Sequence, residues 1–334
     1  MSNNMIDEEI KIAPETIQEA YTQSDFWGEF QEAIGLKVYR FSGKGWTGLC
    51  IEKNLPTGKY WILPYGPTVN SMASLELALS DIVTKAKKAN CLWLRVEPRL
   101  TGGFKPIKGM KKAPRYVEPE YTTMLDLRVD EATLKSRLGK TNRQRINRQE
   151  RDKTLVLWTS TDPKDIDIFF KMQIKVTKRT GAIFHEQEYL RKQAEVLMPK
   201  GHMRLEFAGL GKDKPLAATV IHDYKGTSTY TYAASMPEAR ELGAANILIW
   251  EAMLNAKKRG MKTFDFWGIA PPDSGPNHPW SGFTAFKRSF GTVDVAFAGT
   301  WDIPFSLQYY AYYGRTKLVA TTRVLKRKLR KRNI

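Results

Sequence analysis

The segment "STYTYAASMPEARELGAANILIWEAMLNAKKRGMKTFDFWGI", residues 228–269, passes from strand to loop to helix to strand. Its opening "STYTYAASM" is rich in Thr and Tyr, which fit the pleated, half-buried surface of a strand. Pro237 and Gly243 break that pattern in "PEARELG". "AANILIWEAMLNAKKRG" then carries helix-forming residues until Gly260 stops it. "KTFDFWGI" is apolar and aromatic again and reads as a closing strand.

The same order occurs in the first half. Residues 37–41, 47–53 and 59–65 read as strands separated by Gly/Pro turns, an antiparallel meander. Residues 73–88 place Leu75, Leu77, Leu79, Ile82 and Val83 at mainly helical spacing, and "CLWLRVEP" follows as a strand. "TTMLDL" closes this half, with Asp130 as the N-cap of the next helix. The expectation is a duplicated mixed α/β (α+β) fold. Its first domain spans 1–130 and is completed by 300–334, its second spans 131–299, and a basic C-terminal tail covers 321–334.

Composition narrows the partners. The 334 residues carry 53 Lys and Arg against 35 Asp and Glu, a net charge of +18 that predicts a polyanionic partner. Cys50 and Cys91 with four histidines build neither a disulfide framework nor a metal site, so no metal is expected. No apolar run reaches the length of a membrane span, and the N-terminus lacks the basic start and apolar stretch of a signal peptide. A cytoplasmic protein is expected.

Several residues are candidates for chemistry. In "ARELGAA", Arg240, Gly243 and Ala245 match R-x-x-G-x-A. By this pattern N-acetyltransferase-like folds turn a strand into a helix whose N–H groups hold a pyrophosphate; a glycine that merely starts a helix gives the same letters. Alternation in "FDFWGI" puts Phe264, Phe266 and Gly268 on one face and Asp265 and Trp267 on the other. Asp265 either orients a substrate amine or makes a structural hydrogen bond; Trp267 is either core or a binding platform. Lys287, between Phe286 and Arg288, is either held over a negative charge that develops in a reaction or starts a solvated basic helix. Glu97 ends a strand before Pro98, where a side chain either enters a crevice or sits on a solvent-exposed strand end. The run from Lys135 to Lys153, with Arg143 and Arg148, favours phosphate contact over a plain solvated surface. The tail "RVLKRKLRKRNI" carries seven basic residues and suits anionic lipid or RNA phosphate, or is a frayed basic end.

In order and spacing, "EYL", "YTYAASM", "FDFWGI", "FTAFKRSFG" and "GTWDIPF" resemble the Fem-type peptidoglycan aminoacyltransferases, the FemX/FemA/FemB family. The resemblance runs over nearly the whole chain and is strongest from about residue 188 to 305. It implies two tandem GNAT (N-acetyltransferase-like) domains with mixed sheets. It also implies transfer of an amino acid from aminoacyl-tRNA to the stem-peptide amine of a cell-wall precursor, with aminoacyl-tRNA as co-substrate and no other cofactor. Tyr189 and Tyr232 fall where family tyrosines line the precursor site, Phe286 and Lys287 on the Phe-Lys pair near the transferring centre, and Glu97 on the family's acidic position. Asp265 and Trp267 join the substrate-binding set, and Arg240, Gly243, Arg143 and Arg148 the tRNA or phosphate contacts.

Two positions depart from the soluble-precursor members. Glu29 and His185 stand where those members place basic residues that clamp a nucleotide diphosphate. A lipid-linked precursor, approached with help from the basic tail at the inner face of the plasma membrane, is therefore the expected acceptor rather than a UDP-linked one. No heptad-bearing helical hairpin is present, so the compact, monomeric form is expected. Two other readings stay open: an acetyl-CoA-dependent N-acetyltransferase using the "RELGAA" turn, and a non-catalytic RNA- or membrane-binding protein on a degenerate transferase fold.

Overall fold

The computed structural model describes residues 19–102, 104–180 and 185–332; beyond Val319, Thr322 alone has a described side chain. The strands are β1 (Val38–Gly43), β2 (Trp46–Leu55), β3 (Gly58–Leu63), β4 (Thr68–Val69), β5 (Cys91–Val96), β6 (Lys111–Lys112), β7 (Tyr121–Asp126), β8 (Val156–Ser160), β9 (Met203–Gly211), β10 (Lys214–Tyr224), β11 (Thr227–Ser235), β12 (Thr263–Gly268), β13 (Val293–Ala296) and β14 (Trp301–Pro304). The α-helices are α1 (Asp25–Ala33), α2 (Met72–Lys88), α3 (Glu131–Ser136), α4 (Lys140–Asp152), α5 (Ile166–Thr180), α6 (Gln187–Leu197), α7 (Ala239–Leu242), α8 (Ala244–Lys258), α9 (Ser281–Arg288) and α10 (Leu307–Arg332).

Two compact units divide the chain. Thr22–Glu120 and the described residues from Ala296 onward form one; Tyr121–Val295 and the described residues before Thr22 form the other. In the first, the sheet order is β1-β2-β3-β5-β14-β6, with β4 beside β2. β1, β2 and β3 are the antiparallel meander, and α2 carries the chain from β3 to the parallel β5. Ser71 caps α2 by accepting from the Ser74 N–H. Leu75, Ala78, Leu79, Ile82 and Ala86 are buried at helical spacing and pack with Trp61, Leu63 and Leu94. Leu77, counted with the apolar face from sequence, is 54% exposed: its position lies off that stripe. β14 returns antiparallel to β5 and is locked by Arg95, whose Nε and Nη2 donate to Asp302 at 2.7 and 2.8 Å with both side chains fully buried.

The second unit repeats the plan in a sheet ordered β13-β7-β12-β11-β10-β9-β8. Here α8 carries the chain from β11 to the parallel β12. Phe264 and Phe266 of β12 enter a core with Leu125, Trp250, Met253 and Phe290. "TTMLDL", read from sequence as the end of the first half, is β7 and pairs antiparallel with β12 in this second sheet. Its alternation marks a strand but says nothing about which sheet receives it; the non-local partner does. The fold is mixed α/β, two units of one plan, each with a mixed sheet.

Candidate active site

β11 and β12 hydrogen-bond only over Thr227–Thr229 and Thr263–Asp265. Beyond that the strands part, and β12 continues on β7 across an irregularity between Asp265 and Gly268. Within it Trp267 sits at φ 62°, a left-handed conformation that costs an L-residue about 1–2 kcal/mol and tends to be held at functional sites. Asp265, fully buried, holds the bulge: its Oδ1 accepts the Trp267 N–H at 2.8 Å and the Thr122 hydroxyl at 2.5 Å. Of its two sequence readings, these contacts are the structural hydrogen bond. Trp267 tilts against Tyr21, which stacks on the buried His222.

The bulge turns two carbonyls toward α9. Lys287 Nζ donates to Gly268 O at 2.7 Å and to Trp267 O at 3.4 Å, and lies 5.2 and 5.7 Å from the ring centroids of Phe283 and Tyr230. The side chain is only 8% exposed, so the solvated-helix reading does not describe it; Arg288, 46% exposed and paired with Asp294, is the solvated member. Desolvation pulls the Lys287 ammonium down to about 7, partly offset by the Asp265 charge. Two of its three donor directions face backbone carbonyls, and one remains for a ligand. Phe286 lines a cavity of about 170 Å³ bounded by β10, β11 and α8, shared with Tyr230, Ala217, Ala233, Ala245 and Ile249. Its walls are mostly small and apolar.

Three other candidates converge. His185 stacks on Tyr189 with ring centroids 4.1 Å apart and 15° between planes, and meets Tyr232 edge-on at 5.6 Å. Part of the imidazole stays exposed, yet stacking desolvates it enough to lower its pKa, which favours the neutral ring.

The helix start at Gly243 is built differently from the motif reading. Gly243 has φ +65°, and a Cβ there would lie 2.5 Å from Arg145 Cδ, so two separate reasons demand glycine. Arg145 donates to Asn246 Oδ1 at 2.6 Å, Asn246 to Asn142 Oδ1 at 2.7 Å, and Asn142 to Ser289 Oγ at 2.8 Å. This chain ties α4 to the first turn of α8 and to the residue that follows α9. Arg143 and Arg148 are exposed instead, bonded to Ser136 O and Asp152. Arg240 is exposed on α7, near a groove of about 320 Å³ that carries Lys175, Arg179 and Lys214 beside Pro237 and Glu238. Sequence reading missed Arg145 as an individual, since nothing in a basic run marks the arginine that meets a distant glycine. It missed Thr122 and Tyr230 because only non-local contacts bring them to Asp265 and Lys287.

Glu97 belongs to the other unit and is almost fully buried. Its carboxylate accepts from the Val117 and Glu118 N–H groups and from the Thr300 hydroxyl at 2.7 Å, stapling two distant segments to the end of β5. Desolvation raises its pKa against these bonds, and Glu118 is pushed up to about 8 by desolvation and by the Glu97 charge. Among the described residues no cluster of His, Cys, Asp and Glu could hold a metal ion.

The fold is of the N-acetyltransferase-like kind. Residues 136–287 match the family model described as "Acetyltransferase (GNAT) domain". The chain is similar to the solved structure of FemX, with a TM-score of 0.78 at 15% identity over 88% of this chain and 94% of that one. It is similar to L-PGS from Bacillus licheniformis, TM-score 0.55 at 14% identity over 94% and 99% of the two chains. A third likeness is the C-terminal domain of a putative lysylphosphatidylglycerol synthetase from Agrobacterium fabrum, TM-score 0.56 at 13% identity over 90% and 91%. No curated protein matches the chain in sequence. At these identities the likenesses establish a shared fold, and the domain match supports acyl transfer as its chemistry.

Proposed function

We propose that this protein is an aminoacyltransferase that moves an amino acid from aminoacyl-tRNA to the stem-peptide amine of a lipid-linked peptidoglycan precursor. The observation that carries the reading is Lys287, buried on the carbonyls of the β12 bulge and 5.7 Å from the ring of Tyr230, which with Phe286 lines a small apolar cavity. The acceptor amine attacks the ester carbonyl, a C–N bond forms, and the carbonyl oxygen takes up negative charge. Collapse breaks the C–O bond to the ribose, which leaves carrying the proton lost by the amine. The Lys287 ammonium supplies the charge opposite the oxyanion, Phe286 fixes it, and the cavity holds the acyl group.

The aromatic set His185, Tyr189 and Tyr232 is assigned to the acceptor. A near-neutral His185 gives a nucleotide diphosphate little to bind, which supports a lipid-linked acceptor. Arg143, Arg148, Arg240 and the Lys175–Arg179–Lys214 groove are assigned to RNA phosphate. Arg145 lies over Gly243, where acetyl-CoA would need the helix start open, and this favours the tRNA donor. Glu97 has its oxygens engaged within its own unit and receives no step.

The test is a transfer assay with labelled aminoacyl-tRNA, offered lipid-linked and UDP-linked pentapeptide precursors, with acetyl-CoA as the competing donor. A mass gain on the lipid-linked acceptor, lost in Lys287→Ala, is the expected result. Acetyl transfer without a tRNA requirement overturns the reading.

A further inference from the structure

Helix α10 has two unlike faces along its described turns. One packs on its own unit: Tyr309 is fully buried, its ring centroid 5.5 Å from that of Trp93, and Tyr312 stacks on the same indole at 4.6 Å. Tyr313 and Thr316 are partly buried on this side. The opposite side carries Leu307, 84% exposed, and Leu318, 66% exposed, with Tyr310 half exposed beside them. Leu307, Ala311, Gly314 and Leu318 follow an i, i+4, i+7, i+11 spacing, which places them in one line along the helix. A single exposed leucine needs no explanation, but an apolar line opposite a packed face does.

The border of that line is cationic. Arg315 and Lys317 are exposed on either flank, and Lys111 Nζ lies 5.7 Å from the Tyr310 ring. The sequence contains no Asp or Glu after Asp302, and "RVLKRKLRKR" at the end of the same helix adds seven basic residues. We propose that α10 docks the protein on an anionic lipid bilayer. The helix lies in the plane of the headgroups with Leu307 and Leu318 toward the acyl chains and the flanking cations at phosphate level.

RNA contact accounts for the cations but leaves the leucines unused. A second copy of the helix would bring two cationic borders together. Among the described residues no helix is long and apolar enough to cross a membrane, so the apolar line meets the bilayer from its surface. Docking of this kind does not depend on the transfer reaction.

The full-length protein is sedimented with phosphatidylcholine vesicles with and without phosphatidylglycerol. Binding is expected only to the anionic vesicles, to weaken with salt, and to fall by more than about tenfold in Leu307→Glu/Leu318→Glu, because each leucine buried in lipid contributes a factor of that order. Tyr310→Trp gives a second readout that does not require the double variant to fold: the emission of the introduced indole shifts to the blue on anionic vesicles and not on neutral ones. Equal binding to both vesicle types, full binding by the leucine variant, or an unshifted indole emission in Tyr310→Trp overturns the proposal. So does a solution dimer that the leucine variant dissociates while vesicle binding is absent.

Discussion

Lys287 is the residue at which structure and proposed chemistry meet, and its titration makes the role testable. Its folded pKa, about 7, is below the ordinary lysine value, so the unfolded chain binds the extra proton between roughly pH 7 and 10.5. Wild-type stability relative to Lys287→Met should therefore rise with pH across that window and level off above it, as urea titrations at several pH values can follow. If the ammonium faces the oxyanion, the single-turnover transfer rate falls as pH rises through about 7, whereas in Lys287→Arg that alkaline limb is absent. Lys287→Ala is expected to lose about 100- to 1000-fold in rate. Asp265→Asn tests the support beneath it. Both bonds fall on one oxygen, which an amide also supplies, so the Thr122–Asp265–Trp267 arrangement is expected to persist while the charge is removed. Loss of the carboxylate charge moves the alkaline limb to lower pH; an unmoved limb would separate Asp265 from Lys287.

The junction of α4 with α8 shows what an element contributes beyond its pattern. Gly243→Ala meets both an unfavourable φ and the Arg145 side chain, and is expected to destabilise the second unit by at least about 1–2 kcal/mol. Adding Arg145→Ala should return the contact part of that loss and leave the backbone part, a separation that a double-mutant cycle in thermal unfolding measures. Full recovery in the double variant would show that φ carries no cost there. The exposed arginines of the same helix act differently. Arg143→Ala with Arg148→Ala should leave stability unchanged and flatten the dependence of log K for tRNA binding on log salt by about 0.9 per lost phosphate contact. A slope equal to wild type removes these two from the RNA surface.

Across the whole molecule, the chain crosses between its units so that the first is closed by residues that follow the second in sequence. The lock is the Arg95–Asp302 pair, buried and bidentate. Breaking a buried pair leaves an uncompensated charge, so Asp302→Ala should cost about 3–5 kcal/mol. The loss is expected in the unit that contains β14, read by hydrogen exchange in β3 and β5, with exchange in β10 and β11 unchanged. Uniform loss of protection over both sheets would mean that the two units unfold as one.

Local order was legible in the sequence because it is written locally. The strand–helix–strand repeats, the cap at Asp130 and the stop at Gly260 depend on propensity, periodicity and turn chemistry within a few residues. The same text carries Phe286-Lys287 and the R-x-x-G-x-A turn as letters. Tertiary structure decided their physical state. Lys287 is buried because a bulge at Trp267 and Gly268, on a different element of the same unit, turns its carbonyls toward α9. Arg145, rather than Arg143 or Arg148, meets Gly243 from a helix far earlier in the chain, and β7 joins the second sheet because β12 offers it a pairing edge. Burial, desolvation and non-local pairing depend on what the rest of the chain brings near, and no window of sequence contains that.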